Sequence, residues 1–167
     1  ERARAAGMQP GHLGLFLGAM YARPDYTAVY LKLAREYWLP AVVIDLTPAM
    51  LERFRQQGFP LEEELIDLIA GYPLPKIDNL VFSPDADSYE AKREALTELV
   101  RGLAPGITVI VFQPAFESEA LQQITATWQQ RVWDAQLLAD PQVKELFQDE
   151  GVEFTNWKEM MRRFAVG

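Results

Sequence analysis

The chain has 167 residues, 49% hydrophobic and 24% charged, enough for one domain with a sizeable buried core. Its 24 acidic residues outnumber 16 basic ones, and the net charge of -8 disfavours nucleic-acid and anionic-membrane surfaces, which require clustered Lys and Arg. The absence of cysteine excludes disulfides, zinc–thiolate sites and thiol nucleophiles. No run approaches the roughly 18 apolar residues of a membrane span and no basic-then-apolar leader is seen, so the expected address is cytoplasmic.

Residues 1–7 read as the last turns of a helix closed by Gly7, a start expected in the middle of a longer fold. Residues 12–20 form an apolar, glycine-punctuated run with the character of a buried strand. Pro24 opens a predicted helix over 24–38, with Tyr26, Val29, Tyr30, Leu33 and Tyr37 as its apolar positions. The β-branched run 41–46 is the best strand signal, and Thr47-Pro48 caps a helix that ends at Gly58. A helix over 61–70, acidic at its start, precedes a proline-rich loop and a short strand over 79–82. After the turn-rich loop 83–87, Ser88 caps an amphipathic helix to Leu103, with Lys92, Arg93, Glu94 and Glu98 predicted to face water. A buried strand over 107–112, helices over 125–139 and 141–150, a short strand over 151–155 and a closing helix over 157–164 complete the series.

Strands alternating with helices imply βαβ units and a mainly parallel sheet, and the short linkers predict a single α/β domain over 1–167. In such folds reactive groups sit at the carboxyl ends of strands. Gly14 to Gly18 offer no polar side chain there; Asp45 ends the second strand, Ser83, Asp85 and Asp87 follow the third, and Gln113-Pro114 ends the fourth. His12 is the single histidine, which favours a structural role over catalysis. Asp85 and Asp87 suit either an oxygen-rich cation site or ordinary turn and cap positions. No phosphate-binding glycine loop, nucleophile elbow or His-Glu-x-x-His pair is present.

Three segments in order carry a family likeness: His12-Leu13-Gly14-Leu15-Phe16-Leu17-Gly18 with the following Pro24-Asp25-Tyr26 helix; residues 105–118, with Gln113-Pro114-Ala115; and Trp128-Gln129-Gln130-Arg131-Val132 with Asp140-Pro141. Together they resemble the C-terminal part of YdjC-like carbohydrate deacetylases. The resemblance implies a partial β/α-barrel-like parallel sheet with surrounding helices. It also implies a divalent metal such as Mg or Zn, held by Asp and His, whose bound water would attack an acetyl amide.

The departures from the family pattern fall on its polar positions. Gly14 stands where the pattern has Asp, Leu15 where it has Ser, Phe16 where it has a second His, Gln113 where it has the His before Pro, and Trp38 where it usually has Gly. Glycine and phenylalanine cannot ligate a metal, and one imidazole holds a divalent cation poorly. The expectation is therefore a catalytically silent scaffold, repurposed or engineered, with no cofactor and no catalytic residue. Its apolar pocket for a hydrophobic small molecule is expected at His12, Gly14, Leu15, Phe16, Leu17, Trp38, Phe112 and Gln113. The alternative is an incomplete metal-dependent deacetylase of N-acetyl amino sugars. Pairing with a second copy, as a homodimer or other self-association, is expected to cover open sheet edges.

Overall fold

The computed structural model describes residues 2–14, 18, 21–59 and 61–166. In chain order the elements are α1 (Arg2–Ala5), α2 (Pro24–Tyr37), α3 (Pro48–Gln56), α4 (Glu63–Ala70), β1 (Asn79–Phe82), α5 (Tyr89–Arg101), β2 (Thr108–Val111), α6 (Glu119–Ile124), α7 (Trp128–Ala139), α8 (Pro141–Asp149) and α9 (Trp157–Val166). The class is α/β, as the alternation predicts. None of the described helices is long and apolar enough to cross a membrane. The chain divides into two compact units, Glu1–Asn79 with Thr155–Gly167, and Leu80–Phe154.

In the first unit α2 packs on α4. Its buried stripe is Thr27, Tyr30, Leu31 and Ala34, spaced as one helical face. The predicted stripe is thus displaced by about one position: Tyr26, Val29 and Leu33 are exposed. Leu65 and Ile69 of α4 meet Tyr30, Leu31, Ala34, Ala41, Val43, Tyr72 and Leu74 to form the core.

The run 41–46 was expected to be a strand, yet among the described residues it shows two isolated parallel bridges, Leu13 with Ala41 and Ile44 with Ile77. At its start, tyrosine hydroxyls serve as partners for the backbone of residues 41 and 42. The Val42 N–H donates to the Tyr30 hydroxyl (2.9 Å), which in turn donates to the Leu13 carbonyl (2.7 Å), so a phenol oxygen stands where a direct ladder bond would run. Tyr21 donates to the Val42 carbonyl, and the Ala41 N–H donates to Tyr72 (2.7 Å). Burial pushes the Tyr30 hydroxyl up to about 12 and raises Tyr21 and Tyr72 as well. Of the predicted strand 12–20, Leu13 makes its one bridge, and the greater part of the run lies outside the described residues.

The second unit holds a two-stranded parallel sheet, β1 beside β2, with α5 as the crossover. Leu96 and Val100 of α5, Leu137 of α7 and Val143 and Phe147 of α8 form its core, with Ile110 and Phe112 packed against them. The Ser88 hydroxyl caps α5 by accepting from the Ala91 N–H, and the Asp140 carboxylate caps α8 by accepting from the Gln142 N–H. A helix missed in the sequence, α6, begins where Ser118 caps the Leu121 N–H. The next helix was predicted from Thr125 but starts at Trp128, because the Thr125 hydroxyl takes the Thr127 N–H in a turn of its own.

Four described helices end in the same paired 5→2 and 6→1 bonds, with residue C′ left-handed: Gly7 (φ 79°), Trp38 (φ 51°), Gly58 (φ 74°) and Gly151 (φ 70°). Gly151 and Val152 therefore finish α8 and do not open the predicted strand: the Val152 N–H returns to the Phe147 carbonyl (2.8 Å), and its side chain joins the core. Trp38 is the exception, a bulky residue in the left-handed region at a site where three sister caps use glycine.

Candidate functional site

The carboxyl ends of β1 and β2 meet a polar cluster supplied by two helices. From α7 comes Asp134, 5% exposed, and from α5 comes Lys92, 1% exposed. One carboxylate oxygen of Asp134 accepts from the Ser83 hydroxyl (2.7 Å) and from the Lys92 ammonium (3.0 Å). The other accepts from the Gln113 backbone N–H (2.8 Å). Lys92 also donates to Gln130 (3.1 Å) and lies 3.9 Å from Asp85. Gln130 in turn clasps the loop after β1, donating to the Ala86 carbonyl and accepting from the Ala86 N–H.

A charge pair this deeply buried holds only because its remaining lone pairs and protons are occupied. Asp134 accepts three hydrogen bonds through its two oxygens. It acts as a clamp, fixing Ser83 and Gln113 at the two strand ends.

The expectation that Lys92 faces water is overturned. Its position on α5 gives the reason: 92, 96 and 100 share one face, and Leu96 and Val100 are buried. Asp134 was missed altogether, although it stands one turn before the buried Leu137 on α7. A charged residue in register with a buried apolar stripe was the available signal. Asp85 stays exposed, and the cap of α5 is Ser88.

The residues predicted to line a pocket are placed as follows. His12 is exposed and stacks on Trp157, with ring centroids 5.3 Å apart, and partial burial lowers its imidazole below the ordinary value. Gly14 is exposed, and a side chain built there would first meet the His12 Nε2 at 3.9 Å, an ordinary contact. Trp38 is 57% exposed at its helix cap. Phe112 is half-buried against the core of the second unit, where it fills space, while Gln113 is exposed and held by its backbone to Asp134. Leu15, Phe16 and Leu17 lie outside the described residues. The first unit has a cavity of about 550 Å³ lined by Arg35 of α2 and Glu63, Glu64 and Asp67 of α4, with none of the predicted residues among its walls.

The metal that the resemblance implies does not fit the donors present. Among the described residues no three His, Asp or Glu side chains gather as a cation requires. Position 14 has no donor, and position 113 offers an amide in place of an imidazole.

Comparison with known proteins places the fold. The family described as YdjC-like protein matches residues 1–149. A crystal structure from Enterococcus faecalis V583, of a protein named as a candidate for cellobiose-phosphate cleavage, superposes with a TM-score of 0.64 at 21% identity. The match covers 93% of this chain and 55% of that one, so the present chain spans little more than half the neighbour's length. No curated protein matches the sequence. With the family pattern running over residues 1–149, the chain belongs to the YdjC-like protein family.

Proposed function

We propose that this chain is a repurposed YdjC-like scaffold that has lost hydrolysis and binds an apolar small molecule. The observation that carries the reading is Gly14. It follows the Leu13–Ala41 bridge, with the His12 ring 3.9 Å from where its Cβ would stand. The family pattern has Asp at this position, and the backbone still has room for one. Glycine at this position leaves the His12 imidazole without a neighbouring carboxylate donor from residue 14. The residues that follow, Leu15, Phe16 and Leu17, are apolar, which suits an oily ligand better than a hydrated cation.

A second reading is a metal-dependent carbohydrate deacetylase completed by residues outside this sequence. Family membership and the neighbour's greater length favour it. Thermal shift separates the two, with Zn or Mg in one arm and apolar ligands such as steroids in the other. A ligand present at a hundred times its dissociation constant stabilises the native state by about 2.7 kcal/mol. We expect a raised midpoint with an apolar ligand and none with metal. A shift with Zn or Mg, together with one bound equivalent by elemental analysis, would overturn the proposal in favour of hydrolysis.

A further inference from the structure

The helix α2 carries two stripes. Thr27, Tyr30, Leu31 and Ala34 are buried against the first unit. Tyr26, Val29 and Leu33 form the second, spaced three and four residues apart and so on one side of the helix. All three are exposed, at 46%, 57% and 40%. An amphipathic surface helix places polar residues on such a side. Singly exposed apolar side chains are ordinary, but a row of them in register marks an interaction surface.

The charges beside this row say what fits it. At its start Arg23 grips Asp25 through two bonds (2.9 and 2.8 Å) and lies over the Tyr26 ring, 4.8 Å from the centroid. Toward its end Lys32 pairs with Glu36 at 3.6 Å. Both pairs are exposed. The signs therefore run plus, minus, plus, minus along the helix.

Laid parallel on its own copy, α2 would set each charge against its like. Laid antiparallel about a two-fold axis at Val29, it sets opposites together. Asp25, four residues before the axis, comes beside Lys32 and Leu33 of the second copy, and Arg23 comes beside Glu36. Tyr26 then meets Leu33 of the second copy, and Val29 meets itself. Arg35 lies on the other flank, in the wall of the cavity shared with α4.

We propose that the Tyr26, Val29 and Leu33 face of α2 is a homodimer interface, packed antiparallel on the same face of a second copy. It rests on the first unit alone and holds whatever binds beside Gly14. The apolar row supplies the attraction, and the exposed charges set the direction of pairing more than its strength. With so few apolar side chains on each side, the dimer is weak and reversible, with a dissociation constant on the order of 100 µM.

The test exploits a chain without cysteine, in which one introduced thiol reports alone. Val29→Cys, oxidised at high concentration, should form a disulfide-linked dimer, because the axis brings position 29 against its own copy. Lys144→Cys, an exposed change on α8, should stay largely unlinked. Sedimentation velocity on the unaltered chain should show a monomer–dimer equilibrium. Val29→Lys puts two ammonium groups together on the axis and should leave monomer alone, with helix content unchanged by circular dichroism. Asp25→Lys and Lys32→Asp should each weaken the dimer several-fold, and the double variant should recover it. An unaltered chain that stays monomeric up to about 1 mM would overturn the proposal. So would a dimer that survives Val29→Lys, or a thiol at 144 that links as readily as one at 29, since another surface would then be responsible. The mass of the unaltered chain is decisive by itself, so a variant that fails to fold does not blunt the test.

Discussion

The two units answer one problem differently: how to satisfy the polar backbone and side-chain groups around short parallel pairings. In the first, neutral phenols do it, with Tyr30 of α2 and Tyr21 and Tyr72 from flanking segments reaching the 41–42 backbone. In the second, an ionised pair does it, with Lys92 and Asp134 locking the ends of β1 and β2. A phenol can be deleted to phenylalanine with its ring packing intact, at the cost of its hydrogen bonds. A buried ion cannot be orphaned so cheaply, since its partner keeps a charge with no counterion. The contrast predicts unequal tolerance to single substitutions.

Asp134→Ala strands Lys92, Ser83 and the Gln113 N–H together and carries the largest expected effect. A loss of about 3–5 kcal/mol is expected. Urea unfolding gives the magnitude, and hydrogen exchange should show protection lost first within 80–154. A loss under about 1 kcal/mol would be the value of a surface pair, and the clamp would then have no standing.

Tyr30→Phe comes next. It leaves the Val42 N–H and the Leu13 carbonyl without their shared partner, for an expected loss of about 1–3 kcal/mol. The same hydroxyl sets a pH dependence. An unfolded phenol ionises near pH 10, while Tyr30 in the fold is pushed up to about 12. Above pH 10 the native state therefore binds more protons than the unfolded one. The contribution is full below pH 10 and is lost as pH rises toward 12. Tyr30→Phe should flatten that alkaline decline, as followed by thermal midpoints across the range; an unchanged slope would assign the decline to other groups.

One substitution is expected to gain a little stability. Trp38→Gly restores the residue that the three sister caps use, at a position where the indole is 57% exposed. Relief of left-handed strain should exceed the lost burial and add about 1 kcal/mol, read as a higher thermal midpoint. A lower midpoint would mean that the indole contributes contacts outweighing its backbone strain.

Much of the helical framework was legible because its signals are local. Thr47-Pro48, Ser88 and Asp140-Pro141 each mark a start that needs only a side-chain oxygen and the next turn. The strands were less so. Residues 41–46 have a strand's composition, but the partners of the 41–42 backbone include Tyr21, Tyr30 and Tyr72, which are distant in sequence. Gly151 was misread because a glycine before a β-branched residue serves a helix end as readily as a strand start. The candidate site was legible by address and not by content. Ser83 and Gln113 were found at strand ends, while Lys92 and Asp134 were hidden by the habit of sending charges to water. The Gly14 and Gln113 departures needed only the family pattern, since they are identities and not contacts.

The Tyr30 relay has a consequence for alignment between chain segments. In an ordinary ladder every residue offers the same backbone groups, so a slip of two positions rebuilds the same bonds, and only side-chain burial opposes it. Here Leu13 and Val42 meet through a single oxygen fixed to α2. A slipped segment would find no second hydroxyl waiting at the next position. The helix thus acts as a gauge that sets which residue of 12–14 faces which residue of 41–43, and it fixes where Gly14 stands beside His12.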